Sequence, residues 1–205
     1  MNRWQLVRPN DAVIQRDMAV EPPTPVTEEW IASAFTTPEN RSPQMLARLQ
    51  ESDNLVEELA AADVIVIGAP MYNFGVPSTL KAWIDNIVRV GVTFGFDRTR
   101  EGDPYWPMLA PGKHLVILTS RGDYGYGPGG RLEHMNHVDK ALATALTYIG
   151  VTEITTIAVE YDEFTDGRVE TSLSEALSDI DSLVGTMTND LQPETSDGRQ
   201  TMKVG

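Results

Sequence analysis

Apolar residues form two kinds of pattern, continuous runs and helical spacing, which follow each other in turn along the chain. A continuous β-branched run at 64–67 predicts a strand buried on both faces of a parallel sheet, and the runs at 114–119 and 153–159 predict two further strands. Between and after these runs, apolar residues recur at helical spacing. The helical stretches are 45–59, 80–88, 132–149 and 173–191. The alternation predicts one α/β domain with helices flanking a parallel sheet.

The ends of several elements carry their own signals. Residues 12–16, AVIQR, predict a short strand. Ser42, which precedes a proline, is a preferred start for the first long helix. Ser172 and Glu175 form a capping-box pair that predicts the start of the final helix. The segment 97–111 is rich in glycine and proline and predicts a long surface loop.

The composition of the chain argues against several classes of function. The chain has 205 residues and a formal net charge of −14, which argues against binding to nucleic acid or to anionic membranes. It contains no cysteine, so redox chemistry must come from a cofactor. No apolar run is long enough to span a bilayer and no signal segment is recognisable, which predicts a cytoplasmic protein. His134 and His137 lack a third ligand nearby, so no metal site is predicted.

A loop of aromatic and polar residues follows the first strand. Loops at the carboxyl ends of parallel strands bind ligands because backbone N–H groups and helix N-termini point there. Tyr72 and Phe74 offer flat apolar faces beside the amide of Asn73, and Gly75 supplies backbone freedom. The loop fits a planar heterocycle with polar edges. In the alternative interpretation, the two rings cover the end of the sheet and Asn73 serves a turn.

Three stretches of sequence carry a resemblance to a known family: APMYNFGVPSTLKAWID, GVTF and TSRGD. They belong to a likeness that runs from about residue 4 to residue 188, over which the chain resembles the FMN-dependent NADH-azoreductases. The resemblance implies an α/β fold of the flavodoxin-like type, a three-layer sandwich with a parallel sheet flanked by helices. It also implies an FMN site made by two loops. The residues implied to bind FMN are Met71, Tyr72, Asn73, Phe74, Ser120, Arg121, Gly122 and Asp123.

The second of these loops departs from the family pattern at Asp123, where the family has glycine. The carboxylate either caps the following turn or lowers affinity for the anionic reduced flavin, and the sequence leaves both open. The stretch 120–130 also contains a literal G-x-G-x-x-G. Its context does not fit a dinucleotide-binding turn, so we interpret it as a flexible glycine loop beside the flavin.

The resemblance is incomplete at the N-terminus. The family begins with an extra strand, a serine-rich loop and most of a helix, which hold the FMN phosphate. The flavin-binding domain, assigned to 1–191, is therefore expected to have its first strand missing, either through a start codon assigned too late or through a real loss. As written, the chain is expected to bind FMN weakly or not at all. Residues 192–205 are expected to form a disordered tail.

The resemblance also implies a reaction. NADH reduces FMN in a ping-pong cycle, and a quinone or azo compound is then reduced on the same face, with backbone N–H groups of 73–75 and 122–123 stabilising negative charge on the flavin. The family works as a homodimer. The candidate walls of the shared pocket are Phe74, Phe96, Tyr124 and Tyr126, although any of them could belong to the core. Two alternatives are a flavin electron carrier for a protein partner and a flavin-free, non-catalytic remnant.

Overall fold

The computed structural model describes residues 2–190, which form an α/β fold. The helices are α1 (Asn2–Val7), α2 (Glu28–Phe35), α3 (Pro43–Ala61), α4 (Ser78–Ile87), α5 (His137–Ile149) and α6 (Arg168–Asp190). The strands are β1 (Val64–Gly68), β2 (Phe94–Phe96), β3 (Tyr105–Pro107), β4 (His114–Ser120) and β5 (Glu153–Val159). The tail predicted at 192–205 lies outside the described residues.

Three strands build a parallel sheet in the order β1-β4-β5. They coincide with the three predicted strands, which are confirmed. The other two strands pair in an antiparallel ribbon, with Gly95 opposite Trp106. The prediction of a plain surface loop at 97–111 is therefore wrong in part, because β3 lies inside it. Gly95 has no side chain, and the indole ring of Trp106 fills the space where a Cβ would stand.

The helices form layers on the two faces of the sheet. Ile65, Ile67, Leu115 and Ile117 share one face and join a single buried core with apolar residues of α3, α4 and α5. Helix α6 packs on β5, and its residues Leu173 and Leu177 line a cavity of about 470 Å³ beside the sheet. The predicted three-layer arrangement is confirmed.

Strand β1 is less enclosed than the sequence predicts. Ile65 and Ile67 are buried, but Val66 on the other face is 44% exposed. Among the described residues β1 pairs with β4 alone, and no described helix covers Val66. The strand predicted at 12–16 is wrong, because this segment has no regular secondary structure and no strand partner in the described part of the chain. Arg16 instead binds the carboxylate of Glu58 on α3 at 2.6 Å.

The two predicted helix starts have different outcomes. Ser42 caps α3 as predicted, since its hydroxyl accepts a hydrogen bond from the Met45 N–H at 3.3 Å. The capping box at Ser172 is wrong, because α6 begins at Arg168 and Ser172 lies inside the helix. The Ser172 hydroxyl accepts a hydrogen bond from the backbone N–H of Glu160 at 3.0 Å and so ties α6 to the end of β5.

Candidate functional site

The two loops that the sequence singles out meet at the carboxyl ends of β1 and β4. The N–H of Ala69 donates to the carbonyl of Leu118 at 2.8 Å, and the N–H of Met71 donates to the carbonyl of Ser120 at 2.9 Å. These bonds continue the parallel pairing beyond the strands. They hold residues 71–75, the MYNF turn with its glycine, beside residues 120–130, the glycine loop.

The MYNF turn is a tight two-residue hairpin. Tyr72 and Gly75 exchange both backbone hydrogen bonds at 3.0 Å, and the residues between them have positive φ, 47° at Asn73 and 69° at Phe74. Positive φ at both central residues is the signature of a type I′ turn. The expected role of Gly75 is wrong, since the positive φ falls on the two residues before it. Phe74 in this conformation is strained, and such strain concentrates at functional sites.

The start of α5 holds the strained turn in place. The carbonyl of Phe74 accepts a hydrogen bond from the backbone N–H of His137, the first residue of α5, at 3.0 Å. That N–H is one of the helix-terminal donors that have no partner within the helix. The rings on either side of Asn73 face outward, since Tyr72 is 62% exposed and Phe74 is 40% exposed. The turn therefore presents two flat apolar surfaces on a fixed backbone.

Five backbone donors in the two loops are free among the described residues, and one of them is the N–H of Gly127. The other four are the N–H groups of Asn73, Phe74, Gly122 and Asp123, which have no acceptor in that part of the chain. The N–H of Gly75 was also expected to face a ligand, but it is used within the turn, where it bonds to the carbonyl of Tyr72. Free N–H groups in adjacent loops suit a flat ligand with oxygen or nitrogen acceptors along one edge.

Arg121 supports the glycine loop from inside. It is only 2% exposed, and its guanidinium pairs with Asp139 of α5 at 2.7 Å and with Glu160 beyond β5 at 3.2 Å. Its backbone N–H donates to Val159, and its carbonyl accepts from Asp162. Every one of these groups faces the protein, so the structure gives Arg121 a supporting place behind the loop.

Asp123 caps the turn that follows it. Its carboxylate accepts a hydrogen bond from the N–H of Tyr124 at 2.8 Å and forms an ion pair with Arg131. The hydrogen bond with Arg131 lowers the pKa of Asp123 below its ordinary value of 3.8. Of the two roles that the sequence leaves open, the structure shows the cap, with the negative charge compensated by Arg131.

The four candidate pocket residues do not come together within the chain. Tyr126 is buried, and burial raises the pKa of its phenol. Tyr124 stacks on Tyr161 with 4.8 Å between ring centroids. Phe96 stacks at 4.8 Å on Tyr105, a ribbon residue that packs near the last turn of α5, whereas Phe74 meets the first turn.

The length of α5 fixes this separation. The helix has 13 residues, which corresponds to about 20 Å at 1.5 Å per residue. The structure thus leaves Phe74 and Tyr124 in the two loops at the carboxyl end of the sheet and places Phe96 near the opposite end of α5.

Sequence reasoning missed three residues that shape the site. The carboxylate of Glu160 accepts hydrogen bonds from the backbone N–H groups of Gly125 and Tyr126, at 2.8 and 3.1 Å. Asp139 binds Arg121, and Asn136 caps α5 while its side-chain amide donates to the carbonyl of Tyr126 at 3.1 Å. Only Asn136 carries a local signal, an N-cap residue followed three positions later by an acidic residue.

Residues 2–190 contain neither a metal-binding cluster nor a membrane-spanning helix. No group of three or more histidine, aspartate, glutamate or cysteine side chains stands close enough to hold a metal ion. No described helix combines the length and the apolar character that crossing a membrane requires.

Comparison with known proteins agrees with this geometry. The model of a family described as having a flavodoxin-like fold matches residues 1–184. An FMN-dependent NADH:quinone oxidoreductase of Colwellia psychrerythraea is 42% identical over 184 residues, which cover 90% of this chain and 84% of the relative. An FMN-dependent NAD(P)H:quinone oxidoreductase of Pseudomonas aeruginosa is 48% identical over 174 residues, which cover 84% of this chain and 82% of that protein.

Solved structures show the same fold. The crystal structure of an FMN-dependent NADH-azoreductase from Bacillus anthracis, in complex with FMN, superposes with a TM-score of 0.79 at 15% identity, and the match covers 92% of this chain and 87% of that one. The chain therefore belongs to the flavodoxin-like family and, within it, to the family of the FMN-dependent NADH:quinone oxidoreductases.

Proposed function

We propose that the chain is an FMN-dependent oxidoreductase that transfers hydride from NADH to quinones and azo compounds. The names of the relatives at 42% and 48% identity support this function. The observation in the molecule itself that carries the proposal is the strained MYNF turn, which aims two free backbone N–H groups and two exposed rings out of the carboxyl end of β1.

The residues of the two loops fit the ring of FMN. The isoalloxazine ring is flat and carries acceptor atoms along its pyrimidine edge, which match the free donors at 73–74 and 122–123. Tyr72 and Phe74 offer apolar surface to the ring itself. Bound FMN would supply the redox chemistry, since it accepts a hydride and passes it on.

The chain's own contribution is position and electrostatics. Backbone N–H groups fixed before reduction stabilise negative charge on the pyrimidine edge without having to reorient. The carboxylate of Asp123 would oppose that charge, but its ion pair with Arg131 offsets the repulsion. No acid–base residue is required, because the transferred hydride supplies one hydrogen of the hydroquinone product and the one further proton can come from water.

We further propose that the protein acts as a cytoplasmic homodimer. Cytoplasmic NADH is the donor that the proposed reaction uses. The dimer is supported by the exposure of Phe96, Tyr105 and Met108 along the ribbon, at 39%, 41% and 45%. It is also supported by the distance of Phe96 from Phe74 within one chain, since a second copy could bring the two rings to one pocket. Light scattering should give twice the mass of the monomer, and a monomer would contradict this part of the proposal.

The assay for the proposed function uses the purified chain with FMN, NADH and a simple benzoquinone. Oxidation of NADH should require the protein, FMN and the quinone together. The exposed variant Lys81→Met, on the surface of α4, is the matched control and should retain full activity. A protein that binds FMN but does not oxidise NADH in the presence of the quinone would contradict the proposal.

The phosphate of FMN gives a separate prediction. Among the described residues, Arg121 is the cationic side chain of the two loops, and it is buried; exposed Arg131 directly follows the glycine loop. Both are paired with carboxylates. These loops therefore offer the phosphate no unpaired cation, and we expect FMN and riboflavin to bind the 205-residue chain with dissociation constants within about tenfold of each other. A titration in which FMN binds several hundred times more tightly would show that a phosphate site exists outside the two loops.

A further inference from the structure

Glu160 is the residue on which the shape of the glycine loop depends. It directly follows β5, and its backbone N–H is anchored to the Ser172 hydroxyl of α6. One carboxylate oxygen accepts from the N–H of Gly125 and the other from the N–H of Tyr126. A single side chain just beyond β5 thus holds two consecutive amides of the loop.

A buried chain of polar groups braces Glu160. Arg121 bonds to Glu160 on one side and to Asp139 on the other. Asp139 accepts from the side-chain amide of Asn136 at 2.7 Å, and the same amide donates to the carbonyl of Tyr126. The network therefore contacts the loop at two points, the side chain of Arg121 and the carbonyl of Tyr126, and connects them through the start of α5.

The network is poorly explained by stability alone. Burying charges costs free energy that their pairing only partly returns, and buried ion pairs are weak evidence for stabilisation. Here the cost is higher still, because Arg121 Nε and Asp139 Oδ1 are buried without a hydrogen-bond partner in the described part of the chain. A network with this cost is better explained by the geometry that it imposes on the loop.

The network also restricts the directions in which the free N–H groups of the loop can point. Arg121 is fixed by its pairing with Val159, and Gly125 is fixed by Glu160, so only three residues lie between two anchors. Gly122 and Asp123, which carry two of the free N–H groups, are two of those three. We propose that Glu160, braced by Arg121, is a positioning residue that aims the N–H groups of Gly122 and Asp123 at the flavin ring. This inference rests on the proposed function.

The variant Glu160→Gln tests the proposal with little change of shape. Glutamine keeps one acceptor oxygen but replaces the other with an NH₂ group, which cannot accept from the second amide and opposes the guanidinium of Arg121. Glu175→Gln is the matched control. Glu175 lines the same cavity as Glu160, and its substitution by glutamine removes the same negative charge. Glu175 has no hydrogen-bond or ion-pair partner among residues 2–190.

Two measurements test the effect of Glu160→Gln on the loop and on flavin binding. Hydrogen exchange of the flavin-free protein should show that the amides of Gly125 and Tyr126 are protected in the wild type and in Glu175→Gln, and lose protection in Glu160→Gln. Titration with FMN and with riboflavin should show both flavins weakened by roughly tenfold or more in Glu160→Gln, and by less than about twofold in Glu175→Gln. A residue with only a structural role would lower the unfolding midpoint and leave both flavin affinities unchanged.

Different results would overturn the positioning role of Glu160 and the proposed function. Unchanged amide protection in folded Glu160→Gln, or unchanged flavin affinity, would overturn the positioning role. If Glu160→Gln does not fold, Glu160→Asp replaces it, because it keeps a carboxylate facing Arg121 but is one methylene too short to hold both amides, and the same two results are expected. A wild-type protein that binds flavin but fails the NADH and quinone assay would reject the proposed function and leave the positioning role intact.

Discussion

The two loops of the site are held in place by different means. The MYNF turn takes its shape from its own residues, through two backbone hydrogen bonds between Tyr72 and Gly75 and the strained φ values between them, and one hydrogen bond from α5 fixes its position. The glycine loop is held from outside, by Glu160 beyond β5 and by a buried network that reaches α5. The shape of the first loop is thus encoded locally, whereas the shape of the second depends on residues distant in sequence. Mutations should therefore affect the two halves differently.

The largest expected effect is on the glycine loop. Replacing Arg121 with leucine leaves the carboxylates of Asp139 and Glu160 half-buried without their shared cation. Removing one partner of a buried pair costs about 3–5 kcal/mol. Urea unfolding should show this loss, whereas Lys81→Leu, which breaks an exposed pair, should cost less than about 1 kcal/mol. Equal effects at both positions would show that the buried network does not hold the loop.

A smaller effect should separate strain from packing in the MYNF turn. Phe74→Ala removes the ring but keeps a side chain at positive φ, whereas Phe74→Gly removes the ring and the strain together. Glycine should therefore be more stable than alanine at this position by about 1 kcal/mol. At Thr144, on the exposed side of α5, the order should reverse by a similar amount, since glycine costs about 1 kcal/mol in a helix. Thermal unfolding of the four variants measures both differences.

Both Phe74 variants should bind flavin more weakly than the wild type, because both lose the ring. If alanine is as stable as glycine at position 74, the turn is not strained, and the positive φ cannot be the feature that marks the site.

The smallest effect concerns the cap at Asp123. Its pKa is lower in the folded protein than its ordinary value of 3.8, because of Arg131. The carboxylate therefore stabilises the native state above pH 3.8, and the contribution is lost as the pH falls through the folded pKa. Asp123→Asn should be slightly less stable than the wild type at pH 6, and the difference should shrink at pH 3. A difference that does not change with pH would assign the effect to the hydrogen bond with Tyr124 alone.

The same division explains what the sequence could predict. The three strands of the parallel sheet, the core helices and the MYNF turn follow from runs of neighbouring residues, and so they were predicted, whereas the short strands β2 and β3 were not. The placement of positive φ was predicted wrongly, because glycine was expected to take it and the turn instead forces it on Asn73 and Phe74. The partners of Arg121 could not be predicted, because Asp139 and Glu160 lie 18 and 39 residues away and meet it only after the sheet has formed.

Phe96 shows the same limit for the substrate pocket. Phe96, two residues beyond the GVTF stretch, is a candidate wall of a pocket shared with Phe74 in the interpretation from the family resemblance. In the structure α4 and the ribbon intervene, and Phe96 stacks on Tyr105 near the last turn of α5. Proximity in sequence did not become proximity in space, because α4 carries the chain from the carboxyl end of the sheet to the opposite end.

In the proposed binding mode, two neighbouring loops hold the flavin ring through their free backbone N–H groups. Amide NMR of the purified chain, recorded as riboflavin and then FMN are added, tests it most directly. The amides of Asn73, Phe74, Gly122 and Asp123 should shift strongly and become protected from exchange, while those of Gly125 and Tyr126, already bonded to Glu160, should change little. Flavin binding that leaves the first four amides unperturbed would contradict the account.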